Sequence, residues 1–195
     1  MKRAISALAV GTMTLLVGIG VAHGDDRTCR GTIGATHIDG NVIVPSGASC
    51  TLIGTRVDDN VEVDGGATLV ARGVRIGGNI QTQDHRSVLV TPRRRADGTI
   101  VRSRIGGNIQ LESGGPGIVR RAIIGGNLQT KQNDGRQVAV RNRIEADLQA
   151  FSNEGGVRIF ANVIDGNLQC KSNSPPPTGG ANVVQGNKED QCRNL

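Results

Sequence analysis

Six residues, Ile76-Gly77-Gly78-Asn79-Ile80-Gln81, constrain this chain more than any feature of its composition. The hexapeptide returns unchanged at Ile105 to Gln110 and nearly unchanged at Ile124 to Gln129, and degenerate copies begin at Ile38, Val57, Ile144, Ile164 and Val184. The steps between successive first residues are 19, 19, 29, 19, 20, 20 and 20. A period this regular over most of a chain marks a solenoid, in which each coil buries its apolar face against the next.

Within a coil the period falls to two. Val42 and Val44, then Val61 and Val63, point one way, while Asn41 and Ile43, then Asn60 and Glu62, point the other. That alternation belongs to a short strand. Turn residues follow at Ser46-Gly47-Ala48 and Asp64-Gly65-Gly66-Ala67, the apolar pattern resumes at Leu52 and Leu69-Val70, and Gly54 and Gly73 precede the return. The pattern predicts an all-β, single-stranded parallel β-helix of 19 to 20 residues per coil over 38–173, with two or three strands per coil and glycine at the corners. Helical solenoids need longer repeats and apolar residues at i, i+3 and i+4, and neither occurs. Seven steps at the strand spacing would make a rod about 34 Å long. Phe151 and Phe160 are the only aromatic residues and are expected to fill space inside a widening coil.

The third step is ten residues longer than its neighbours. The extra material lies in 84–104, where Ser87-Val88-Leu89-Val90-Thr91, a Pro/Asp/Gly turn and Thr99-Ile100-Val101 suggest a hairpin projecting from one corner. It carries Arg93-Arg94-Arg95, read as an anion site for phosphate, a sulfated glycan or an acidic cell-wall polymer. The competing reading is a solvated loop tip that blunts an exposed edge.

Residues 1–24 read as a targeting segment. Lys2 and Arg3 precede an apolar stretch, and Ala22-His23-Gly24 supplies small residues at the −3 and −1 sites of a signal peptidase cut after Gly24. An uncleaved membrane anchor is the alternative. The mature chain is expected to be secreted and to have no transmembrane segment. An even count of four cysteines agrees with an oxidising compartment. Cys29 and Cys50 stand 21 residues apart, and Cys170 and Cys192 stand 22 apart. Residues one repeat apart stack at roughly 4.8 Å, close to the alpha-carbon separation a disulfide needs. Two disulfides are therefore expected, each contributing about 3 kcal/mol in the chain-entropy model. They would staple an N-terminal cap (25–37) and a C-terminal cap (174–195). In the latter, Pro175-Pro176-Pro177 should break the ladder, and Lys188 falls on the core column.

Removing Lys2 and Arg3 takes the formal charge from +6 to +4. With no aromatic residues among the basic ones to stack bases, no nucleic-acid partner is expected. Neither His37 nor His85 sits at a metal-ligand or triad spacing. The Asp58 to Gly66 run fails the EF-hand pattern, so neither metal nor cofactor is expected. Asn79, Asn108, Asn127 and Asn167 share one offset (with Asn41 and Asn60), and Gln81, Gln110, Gln129, Gln149 and Gln169 share another. Stacked amides form ladders in cross-β assemblies, and Asn tolerates a left-handed corner. The functional alternative is a flat polar array matching a polysaccharide, ice or another copy.

The coils and the tail Gly166-Asn167-Leu168-Gln169-Cys170 … Pro177-Thr178-Gly179-Gly180 … Gly186-Asn187-Lys188 … Gln191-Cys192 resemble uncharacterised secreted bacterial β-helix repeat proteins. That resemblance covers nearly all of the mature chain and implies fold and export but no established activity. A looser similarity is to bactofilins, polymer-forming β-helices, from which the leader and the disulfide-capped ends depart. The expectation is a structural or adhesive scaffold of the cell envelope or exterior without catalytic activity, whose partner is an anionic glycan or itself. The alternative is a polysaccharide-active lyase or hydrolase, which needs clustered carboxylates and aromatic platforms.

Overall fold

A computed structural model describes residues 25–195, and the expected leader lies outside the described residues. These residues form 27 short strands and no helix. Three parallel sheets of nine, eight and eight strands run the length of the column, and one antiparallel pair stands apart. Each coil gives one strand to each sheet: Val42–Val44, Ser49–Ile53 and Arg56–Val57, then Val61–Val63, Thr68–Arg72 and Arg75–Ile76. The fold is a β-solenoid. Nine strands in the first sheet make eight steps, or a column about 38 Å long at the strand spacing.

The register follows the repeat. Val42, Val61, Ile80, Ile109, Leu128, Leu148 and Leu168 pair in succession along the first sheet, and all are buried. Full burial of each such side chain is worth about 1.5–3 kcal/mol. In the hexapeptide, Ile76 is buried from the third sheet and Ile80 from the first, and Gly77-Gly78-Asn79 turns between them. A Cβ on Gly78 would run into the carboxamide oxygen of Asn60, one coil earlier, and a Cβ on Gly107 into that of Asn79. The second glycine is thus the seat for the neighbouring amide.

Several expectations change. The Asn residues of the hexapeptides are not in the left-handed region, which is occupied instead by residues such as Asp84, Ser113, Arg121, Gln132 and Arg141. Asn79 serves by hydrogen bonding rather than by backbone tolerance. Phe151 and Phe160 are half-buried on the outside, because each follows an inward residue, Ala150 or Ile159, by one position. Ser87–Thr91 is not half of a hairpin. It stacks in the second sheet between Thr68–Arg72 and Gly117–Arg120, burying Val88 and Val90. The antiparallel pair is Arg93–Arg94 with Ile100–Val101.

The terminal segments also take part in the coils. Arg27–Thr28 pairs with Val42–Ile43, and Thr32–Ile33 with Thr51–Leu52. The ladder resumes beyond the prolines, which fall between the first and second sheets, and continues to Lys188–Asp190. Lys188 pairs with Leu168 yet is exposed. Disulfides join Cys29 to Cys50 and Cys170 to Cys192, with Cα–Cα distances of 5.5 and 5.3 Å. Leu195 packs against the core at the C-terminal end.

Candidate anion-binding groove

Beyond the insertion, Gly117–Arg120, Gln137–Val140 and Val157–Phe160 succeed one another in the second sheet. Val119, Ala139 and Ile159 fill the core. Alternation therefore turns Arg120, Val138, Val140, Arg158 and Phe160 outward, with Arg120 in register with Val140 and Val138 with Arg158. Arg120, Val138, Val140 and Arg158 line a groove of about 540 Å³. Its lining includes the buried Val138 and half-buried Val140, Thr91 and Pro92 at the root of the insertion, and Arg120, Arg121, Arg136, Arg141 and Arg158. No carboxylate lines the groove. Among the described residues, the ion pairs are made by His37, Arg56 and Arg143 and not by any of these five arginines. The Arg158 guanidinium lies 5.5 Å from the Phe160 ring centroid, a cation–π distance that orients it along the sheet.

The backbone positions two of the arginines. Arg121 and Arg141 occupy left-handed corners, with φ of 50° and 57°. The residues that follow, Ala122 and Asn142, turn inward and donate their N–H groups to Asn142 Oδ1 and Asn162 Oδ1 at 2.9 and 3.0 Å. Asn142 Nδ2 donates to Val119 O at 2.9 Å and to Asn162 Oδ1 at 3.0 Å. Arg102, at the other root of the insertion, lies across the same corner. Its Nε donates to Arg121 O at 2.8 Å, and its Nη2 to Ala122 O at 3.2 Å and Arg141 O at 3.4 Å. Burial, and then the neighbouring Arg104 and Arg121 charges, hold its pKa below the usual arginine value.

The residues singled out from the sequence fall elsewhere. Arg93 is half-buried over the early corners: a Cβ on Gly54 would meet its guanidinium, and one on Gly73 would lie 2.6 Å from its Cβ. Arg94 and Arg95 are exposed along the hairpin. None of the three lines the groove. The outer amides do join in series. Asn60 N and Nδ2 donate to Asn41 Oδ1, Asn79 to Asn60 and Asn108 to Asn79, at 2.7–3.2 Å. Asn127 N donates to Asn108 Oδ1 at 2.7 Å, and the series passes through Asp147 to Asn167. Gln129 donates to Gln149 at 3.0 Å and Gln149 to Gln169 at 2.9 Å, while Gln81 reaches Gln110 at 3.4 Å.

Sequence reasoning missed two buried ladders, Asn133–Asn153–Asn173 and Asn142–Asn162–Asn182. Their common 20-residue spacing would have revealed them. It also missed the meeting of His37 with Asp39 and Asp58 on the third face, at 3.4 and 2.8 Å. Hydrogen bonds from His37 and Arg56 lower the Asp58 pKa. A recess on the first face is lined by Glu62, Asp64, Glu112 and neighbouring glutamines.

Comparison with protein-family models, curated proteins and solved structures returns no match. No helix among the described residues is long and apolar enough to cross a membrane.

Proposed function

We propose that this chain is a secreted, rigid scaffold of the cell envelope or exterior that holds an anionic polysaccharide without cleaving it. The observation that carries this reading is the groove on the second face, where five arginines converge without a carboxylate in the lining. Guanidinium forks match the paired oxygens of carboxylate and sulfate groups. Val140, half-buried between them, offers apolar surface to a sugar ring. Neither described histidine lines the groove, so it holds none of the side chains most used for proton transfer. The stapled ends favour a single rod over an end-to-end polymer, and light scattering on the mature protein checks this.

The binding test is a calorimetric titration with a sulfated polysaccharide at increasing salt. Affinity should fall steeply with ionic strength, as exposed charges are screened beyond about 8 Å at physiological salt. Combined Arg120→Ala, Arg136→Ala and Arg158→Ala should abolish it. Salt-independent binding would contradict the reading. Release of shortened chains would favour the enzymatic alternative, and the recess faced by Glu62, Asp64 and Glu112 is where that chemistry would lie.

A further inference from the structure

The third face has its own arginine series, and it changes character in the middle of the column. Arg56, Arg75 and Arg104 stack in register. At the flanks, carboxylates neutralise the series: Arg56 Nε lies 3.0 Å from Asp58 Oδ1, and Arg143 Nη2 lies 3.1 Å from Asp165 Oδ2. At Arg75 and Arg104 the residue two positions on is glycine, Gly77 or Gly106, and neither arginine has an ion pair among the described residues. The two head a shelf of about 350 Å³ whose floor includes Gly77, Gly106 and Gly125, with Glu145 also in its lining.

This shelf and the groove are separated by the corner between the second and third faces, and Arg102 occupies that corner. Its guanidinium is fixed on the carbonyls of Arg121, Ala122 and Arg141, and Arg102 itself lies within reach of the charges of Arg104 and Arg121. Positive charge is therefore continuous around the column from Arg75 and Arg104, through Arg102, to the groove. It runs around the column from the third face to the second rather than only along the axis.

We propose that groove and shelf form one track, and that an extended anionic polysaccharide crosses the corner and engages both. The proposal rests on the groove reading above and adds a length requirement to it. A chain too short to turn the corner uses the groove arginines alone. A longer one gains Arg75 and Arg104 as a linked second site, with the gain in affinity that linkage brings.

The test uses heparin oligosaccharides of two lengths, about four and about twelve sugars, titrated against the mature protein. The longer should bind at least tenfold tighter, and its affinity should fall more steeply with salt, the logarithmic slope being larger by about one to two for two added contacts. Arg75→Ala with Arg104→Ala should bring the longer oligosaccharide down to the affinity of the shorter and leave the shorter unchanged. Both side chains are exposed, and an unchanged urea midpoint confirms that the fold is intact; Arg→Gln replacements serve if it is not. If the double variant binds both lengths like the parent, the track is wrong. The groove reading would then stand or fall separately on the Arg120, Arg136 and Arg158 variant. Tighter binding of a single-stranded DNA of matched charge would overturn the assignment to a polysaccharide.

Discussion

The corner between the second and third sheets is built in two ways. Before the insertion, Gly54 and Gly73 make the left-handed turn, with φ of 66° and 59°, and Thr55 and Val74 are buried behind them. After it, Arg121, Arg141, Ala161 and Ala181 make the same turn, and Ala122, Asn142, Asn162 and Asn182 are buried. A side chain in that region costs about 1–2 kcal/mol that glycine does not. In the later coils each buried amide bonds the backbone of the preceding coil and the amide of the next, and these bonds offset that cost. The glycine corner stands without an amide ladder but has nothing to display, and the hairpin's Arg93 lies against it. The amide-held corner is free to carry an arginine, and two of the five groove arginines sit there. A scaffold feature thus sets where charge can appear on the surface.

The largest effect should come from breaking the ladder. Asn162→Ala removes the acceptor of Asn142 N and Nδ2 and the donor to Ala139 O and Asn182 Oδ1, all buried. Orphaned buried groups cost about 1–3 kcal/mol each, so a loss of about 3–5 kcal/mol is expected from urea denaturation. A loss below about 1 kcal/mol would mean that the amides do not hold the corner. Gly73→Ala probes the other solution. It adds left-handed strain and sets a methyl against Arg93, for an expected loss of about 2 kcal/mol and a loosened hairpin in hydrogen exchange.

A smaller effect belongs to a different corner, the one between the first and second sheets. His85 follows the left-handed Asp84 at the first corner and is buried, with Nδ1 2.8 Å from Thr82 Oγ1 and no partner for Nε2. Burial holds its pKa below 6.5. The unfolded chain therefore takes up the proton first as pH falls. Stability is full above about pH 6.5 and declines below it, by at most about 1.4 kcal/mol per pH unit, until the folded pKa is reached. Replacing His85 with Asn should flatten this slope. An unchanged slope would assign the dependence to other groups.

The column was legible in the sequence because its core residues recur at a fixed step, and the cysteines at one repeat length stack for the same reason. The groove was not legible, because Arg120, Arg136 and Arg158 come from three successive coils and meet only through the register. Arg93-Arg94-Arg95 stood out as a run, yet it folds into a hairpin that turns Arg93 onto the glycine corners. The strand parity that puts Phe151 and Phe160 outside can be read from the alternation around Ala150 and Ile159. The extent of the coils could not be read from Pro175 to Pro177, because a corner tolerates missing N–H donors that a strand would not.

The measurement closest to the central claim replaces the two corner arginines by glycine. Arg121→Gly with Arg141→Gly removes two groove charges and relieves two left-handed side chains at once. Titration with a sulfated polysaccharide, beside urea unfolding, should show affinity reduced about tenfold or more with no loss of stability. Unchanged affinity with lowered stability would mean that these arginines serve the fold and not a ligand.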